Sequence, residues 1–146
     1  MKIEIYCDGS CEPNSGEGTW GVAVIINGEL FHSEANHEKH TTNNVMELYA
    51  LNYALTLAME FAAPITIYSD SEYSIKCITE WCYKWKAKQW RIKKNTRVIA
   101  EANEKYDMIK DRVQVKWVRS HSGNKWNEFV DQLCNKVRRQ HSLINH

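Results

Sequence analysis

Prolines are scarce in this chain. Its 146 residues hold two, Pro13 and Pro64, both at expected element boundaries. No linker, repeat or low-complexity segment is visible, so the chain reads as one domain over residues 1–146. Long apolar runs are missing too. Nothing approaches the roughly 20 residues of a bilayer-spanning helix, so no membrane is expected. Residues 1–10 carry no basic stretch followed by an apolar run, and a cytoplasmic location is the default expectation. Cysteines number five, at 7, 11, 77, 82 and 134. An odd count with no Cys-x-x-Cys argues against a disulfide framework and a zinc knuckle. Cys7 and Cys134 lie on apolar stripes, where packing is the expected role.

One stretch also lacks charge of one sign. Residues 84–97, KWKAKQWRIKKNTR, hold seven bases and no acid. Taking those seven from the overall +1 leaves −6 on the other 132 residues. Residues 1–60 carry nine acids against Lys2 and Lys39. A local basic patch on an otherwise acidic chain points to an anionic partner at that patch. The bases cannot be core residues, and Trp85 and Trp90 interrupt them as anchors or contact surfaces.

What is present is a strong apolar pattern. Hydrophobic residues make up 43%, ample for a full core at this length. Residues 2–8 alternate, with Ile3, Ile5 and Cys7 on one face, and predict a strand. Residues 11–18 read as a turn-rich loop, 19–26 as a second strand, and Asn27-Gly28 as a hairpin into a third over 29–35. Residues 43–61 predict a long helix capped by Thr41 or Thr42. A short buried strand follows at 65–69, then a helix over 71–81 and a largely helical basic stretch. A helix over 98–111, a strand over 113–118 and a final helix over 126–140 complete the order βββαβαααβα. Three antiparallel strands followed by α/β units predict a mixed five-stranded sheet flanked by helices.

Four acids sit where that order brings elements together. Asp8 ends the first strand, and Asp-Gly-Ser is by itself a common strand terminator. Glu47 shares a helix stripe with Ala50, Ala54 and Ala58, small residues suited to close packing on a sheet. A glutamate there is partly buried on a helix with no Lys or Arg, so it needs a cation or donors. Asp70 follows ITIYS, where Ser69 and Ser71 cap equally well, so capping does not require the acid. Asp131 borders the apolar stripe of the last helix, one turn after Asn127 and Glu128. A Gly-containing loop with His121 precedes it. Clustered carboxylates repel and do not all ionise cheaply without a cation among them.

Each string alone is weak, and together they are specific. Asp8-Gly9-Ser10-Cys11, Thr41-Thr42-Asn43-Asn44-Val45-Met46-Glu47-Leu48, Ser69-Asp70-Ser71-Glu72-Tyr73, the Trp81/Trp85/Trp90 series, and the run from His121 and Gly123 through Asn127 and Glu128 to Asp131 occur in order. With them, essentially the whole chain resembles the ribonuclease H type 1 family, in its bacterial form with a basic protrusion. The resemblance implies a ribonuclease H-like fold with a basic handle at about 81–97. It implies hydrolysis of the RNA strand of RNA–DNA hybrids by two metal ions, leaving 3′-hydroxyl and 5′-phosphate ends. Asp8 would bridge two Mg²⁺ ions, or Mn²⁺ in their place. Asp131 would share one of them, and Glu47 and Asp70 the other. His121 would assist proton transfer or product departure. Asn14, Asn43 and Asn44 match positions that read 2′-hydroxyls or hold backbone. Thr42 and Asn44 match a phosphate pocket, and Tyr73, Trp81 and Trp85 a channel for DNA sugars. Lys86, Lys88, Arg91 and Lys93 would grip the backbone. The expected partner is the hybrid, and the expected state a monomer.

Three departures stand out against that family. The loop Glu12-Pro13-Asn14-Ser15-Gly16-Glu17-Gly18 lacks the usual glycine-proline run. Glu72 replaces a glutamine and, when ionised, repels phosphate. Ser120 and Asn124 replace a glycine and a histidine. His37 and His40 have ligand-like spacing but read better as a solvated loop. Rival readings are another nuclease or integrase of similar fold, a hybrid-binding module without catalysis, and a plain metal-binding globule. The asparagine pair before Glu47 and the tryptophan-rich basic segment favour ribonuclease H over the first, intact carboxylates over the second, and the basic segment over the third.

Overall fold

The computed structural model describes residues 1–12, 16–91 and 94–144. Its strands are β1 (Ile3–Cys11), β2 (Gly18–Ile26), β3 (Glu29–Glu38), β4 (Ile65–Ser69) and β5 (Val113–Trp117). They form one sheet in the order β3-β2-β1-β4-β5. The β1–β2 and β2–β3 pairs are antiparallel, and the β1–β4 and β4–β5 pairs are parallel. The helices are α1 (Asn43–Ala58), α2 (Glu72–Lys76), α3 (Cys82–Ala87), α4 (Thr96–Ile109) and α5 (Lys125–Ile144). A π-helical turn, Cys77–Trp81, joins α2 to α3. No described helix is long and apolar enough to cross a membrane.

Strand parity sorts the core into two layers. Ile3, Ile5, Cys7, Val22 and Val24 pack with Leu48, Leu51, Leu55, Ile99 and Ala102. Tyr6, Ala23 and Ile25 pack with Val130 and Cys134 of α5. Helix α1 buries Ala50, Ala54 and Ala58 together with Met46, Leu48, Leu51 and Leu55, so it is apolar around most of its circumference. That is the pattern of a helix enclosed on several sides. Thr42 caps it, accepting from the Val45 N–H at 3.3 Å. At the other end Arg112 donates to the Ala58 and Ala63 carbonyls, satisfying groups the helix leaves open. All five cysteines are free and buried.

Several boundaries differ from the sequence pattern. Strand β1 does not stop at Asp8. Gly9, Ser10 and Cys11 pair with Trp20, Thr19 and Gly18, so ladder pairing overrides the Asp-Gly-Ser turn signal. Asp8 therefore lies within the central strand, not at a sheet edge. Strand β3 runs on to Glu38, with His37 opposite Thr19. His37 is thus a strand residue whose side chain is 4% exposed, not part of a solvated loop. Its ring stacks on His141 of α5 at 4.0 Å. Helix α1 ends at Ala58, ahead of tighter turns in which the Glu60 and Phe61 N–H groups donate to the Leu57 and Ala58 carbonyls. Helix α3 carries the basic stretch as far as Ala87, and Thr96 and Arg97 at its other end open α4. Gln89 and Trp90 take left-handed φ values of 59° and 60°, and the Trp90 N–H closes on the Trp85 carbonyl at 2.7 Å. This is the six-to-one closure that ends a helix.

Candidate active site

The sheet register creates the site. Along the parallel β1–β4 pair, Tyr6 sits opposite Tyr68 and Cys7 opposite Ser69. The two tyrosine rings stack at 4.6 Å. Two residues further on, by the same parity, come Asp8 and Asp70. Two carboxylates thus stand side by side where β4 ends and β1 continues. Carboxyl ends of parallel strands at such a junction are where open α/β sheets carry their chemistry.

Glu47 arrives from α1. Strand and helix nearly touch there: a Cβ on Gly9 would lie 2.4 Å from the Met46 carbonyl carbon and oxygen and 2.7 Å from the Glu47 nitrogen. Only glycine permits that approach. The Gly9 N–H then donates to Asp8 Oδ1 at 2.9 Å and to Glu47 Oε1 at 3.2 Å. One oxygen from each of Asp8, Glu47 and Asp70 falls within 4.8 Å of the others. Asp131 of α5 is outside this tight group, but its charge bears on both Asp8 and Asp70.

Burial dominates the electrostatics. Desolvation, with the Asp70 charge next, raises the Asp8 carboxyl well above the ordinary carboxylate range. Desolvation and the charges of Asp8 and Asp70 do the same to Glu47. Asp70 is also raised by burial, with hydrogen bonds from Asp8, Glu47 and Asn127 pulling the other way. Glu47 Oε2 is buried and has no hydrogen-bond partner among the described residues. A buried, unpartnered carboxylate oxygen in a group of like charges is a strong unmet demand for a cation. The donor set is all oxygen, which suits a hard divalent ion such as Mg²⁺. The same field raises the Cys7 thiol, after desolvation, through Glu47, Asp70 and Asp8. A thiol so placed is inert packing.

Other expected residues fall around this centre. Ser71 caps α2, accepting from the Ser74 N–H at 3.1 Å, so Asp70 is free of capping duty. Trp117 Nε1 donates to the Asp70 carbonyl at 3.2 Å. His121 is exposed at a left-handed φ of 54°, in a loop outside the carboxylate group. Asn124, one of the departures, caps α5: its Oδ1 accepts from the Asn127 N–H at 3.0 Å. Asn127 itself is buried, and its side chain favours the ionised form of Asp70. Its position one turn before Asp131, on the same helix face, was the available signal. Asn43 Oδ1 accepts from the Cys11 N–H at 2.7 Å, tying α1 to the end of β1, while Asn44 is exposed. Glu72 pairs with Lys76 at 3.3 Å.

The aromatic channel assembles in part. Tyr73, Trp81 and Trp85 form a chain of rings at 6.3 and 6.1 Å, with Trp81 42% exposed. Lys88 and Arg91 are exposed. Lys86 lies 3.8 Å from Asp107, which also accepts from Tyr83 at 2.6 Å. An acid from α4 thus faces a basic segment that has none of its own. Asn14 and Lys93 lie outside the described residues.

The RNase H family model matches residues 1–139. The chain belongs to the RNase H family. That is a family of nucleases, so the chain is placed among enzymes. Ribonuclease H of Chromobacterium violaceum is 38% identical over 142 residues, spanning 92% of this chain and 93% of that protein. RNase H1 from the halophilic archaeon Halobacterium salinarum NRC-1 shares the fold with a TM-score of 0.70 at 22% identity, over 96% of this chain and 99% of that one. LC11-RNase H1, solved in complex with an RNA/DNA hybrid, gives a TM-score of 0.68 at 22% identity over 93% and 99% of the two chains. The mixed sheet with flanking helices is therefore the RNase H fold, as the order of elements in the sequence implied.

Proposed function

We propose that this chain hydrolyses the RNA strand of RNA–DNA hybrids at the Asp8, Glu47, Asp70 and Asp131 carboxylates, as a cytoplasmic monomer. The observation that carries it is the convergence of three raised carboxyls on one point with Glu47 Oε2 unpartnered. Two divalent cations held there, Mg²⁺ or Mn²⁺, would stabilise both the attacking and the leaving oxygens of a phosphodiester. The chain's own residues do the rest. Gly9 and Asn127 fix the orientation of Asp8, Glu47 and Asp70. Thr42, Asn43 and Asn44, at the start of α1, face the hybrid's sugars and phosphates. Tyr73, Trp81 and Trp85 offer the sugars of the DNA strand a run of mutually inclined ring faces. Glu72, held by Lys76, stands beside them. A substrate panel tests the proposal: labelled RNA–DNA hybrid, double-stranded RNA and double-stranded DNA, each with Mg²⁺. Only the hybrid is cut, and Asp70→Asn abolishes the cutting. Equal cutting of double-stranded RNA would refute it.

His121 sits on an exposed loop, as a proton relay to solvent requires. His121→Ala is expected to slow turnover by about 10²–10⁴-fold with hybrid affinity unchanged. Unchanged turnover returns the residue to a structural role.

The basic handle grips backbone, not sequence. Replacing Lys86, Lys88, Arg91 and Lys93 with alanine is expected to raise KM uniformly across hybrid sequences. Each lost phosphate contact flattens the log–log salt slope by roughly 0.7–0.9. Lys86 contributes less than the others, since Asp107 already offsets its charge. A quadruple variant with wild-type affinity and salt slope would end the handle idea.

A further inference from the structure

A second concave site lies away from the carboxylates. A cleft of about 670 Å³ opens between α1 and α4, with Trp20, Tyr49 and Tyr53 among its walls. These three rings pack edge to face, with Trp20 at 6.4 Å from Tyr49 and 5.4 Å from Tyr53. Each is only partly buried. The Trp20 indole Nε1 is shielded from solvent and has no acceptor among the described residues. A buried donor without an acceptor is costly to a folded chain.

Lys105, on the α4 wall, supplies the second anomaly. Its ammonium donates to Asn52 Oδ1 at 2.9 Å and Thr56 Oγ1 at 2.8 Å. Both partners are neutral, and no carboxylate lies within ion-pair distance of it among the described residues. Of the acids lining the cleft, Glu101 is held by Arg97 at 3.2 Å, and Glu38 belongs to the end of β3. A half-buried ammonium with one hydrogen left to donate and no counter-charge favours an anion.

We propose that this cleft binds a single nucleotide, its base against the aromatic wall and its phosphate at Lys105. The volume is within the range of small-ligand sites, and base–aromatic stacking tolerates any base. The cleft reaches Val45, next to Asn44, and Asn95, which donates to the Tyr73 hydroxyl at 3.4 Å. It therefore borders the track proposed above for the hybrid. The nucleotide comes from an unpaired residue flanking the hybrid, which rests on that functional reading, or free from solution.

The test measures binding of the full chain to a blunt 12-base-pair hybrid and to the same hybrid with four unpaired thymidines on either end of its DNA strand. In parallel, dAMP alone is titrated while the Trp20 indole proton is followed by NMR. The variant is Lys105→Gln, which keeps a donor for Asn52 and Thr56 but loses the charge; its melting temperature confirms folding. If the flanking strand is the source, one overhang tightens binding by about tenfold, the size of one base–aromatic stack. Lys105→Gln then removes that gain and leaves blunt-hybrid binding unchanged. If free nucleotide is the source, dAMP shifts the Trp20 resonance in the wild type and not in the variant. No gain from either overhang together with no response to dAMP overturns the proposal. So does a gain that survives in Lys105→Gln. Failure of the blunt hybrid to bind at all refutes the hybrid reading instead, and the dAMP titration still decides the cleft.

Discussion

Asp8→Asn is expected to abolish hybrid cleavage, by at least about 10³-fold, while making the metal-free protein more stable at neutral pH. The activity loss follows from the several kcal/mol that cation charge stabilisation contributes, at a tenfold rate change per 1.4 kcal/mol. The stability gain follows from linkage. Asp8 titrates well above the ordinary carboxylate range in the folded chain, so the native state binds more protons than the unfolded one. Stability without metal therefore falls as pH rises from the ordinary carboxylate value, about 4, through the raised one. Asparagine removes that penalty. At pH 7 in chelator the variant melts a few degrees higher, each kcal/mol being about 2–4 °C in a chain this size. Near pH 4 the difference vanishes. Saturating Mg²⁺ reverses the order, because only the wild type gains the roughly 2.7 kcal/mol of ligation at 100 times Kd. Melting curves at pH 4 and 7, with and without Mg²⁺, measure all of this. An Asp8→Asn protein that is less stable than wild type in chelator at pH 7 would mean that the carboxylate is satisfied without a cation.

Gly9→Ala is expected to be the most damaging single methyl group in the chain. The added carbon meets the backbone of Met46 and Glu47, not the end of a flexible side chain. Helix and strand must move apart, at the upper end of the 1–3 kcal/mol usual for overpacking. That corresponds to a fall in Tm of about 6–12 °C. The movement also withdraws Glu47 from Asp8, and a displacement of about 1 Å at a reacting centre costs on the order of 10²-fold in rate. Gly28→Ala is the control. Its added carbon meets nothing within 4 Å, and its φ of +83° carries only a backbone penalty of about 1–2 kcal/mol. Thermal melting with a cleavage assay separates the two. A Gly9→Ala protein that melts with the wild type and cuts normally would show that α1 and β1 have room to spare.

Much of this site is legible in the sequence because the signals are local. The Ala50, Ala54 and Ala58 stripe marks the face of α1 that meets the sheet, and Glu47 on that stripe is necessarily drawn inward. Ser69 and Ser71 beside Asp70 show that its carboxylate is not needed as a cap. What escapes the sequence is long-range. Asp-Gly-Ser has the composition of a turn, and only pairing with Trp20, Thr19 and Gly18 keeps it extended. The apolar pattern gives no hint that His37 lies in β3, because strand-edge residues here are mostly polar. The stack on His141, more than a hundred residues away, is tertiary. The handle's helix stops at Ala87 through left-handed residues that are not glycine, so no composition cue marks the turn. Asp107, which tempers Lys86, comes from another helix altogether.

The measurement that bears most directly on the central claim is the chemistry of the cut ends. A hybrid with labelled RNA is incubated with the wild-type chain and Mg²⁺, and the RNA fragments are identified by mass spectrometry. Hydrolysis at a carboxylate-held cation centre gives 3′-hydroxyl and 5′-phosphate ends, and chelator or Asp8→Asn stops it. Fragments ending in 2′,3′-cyclic phosphate, or cutting that persists in chelator, would mean that the RNA's own 2′-hydroxyl attacks and that Asp8, Glu47 and Asp70 are not the reaction centre.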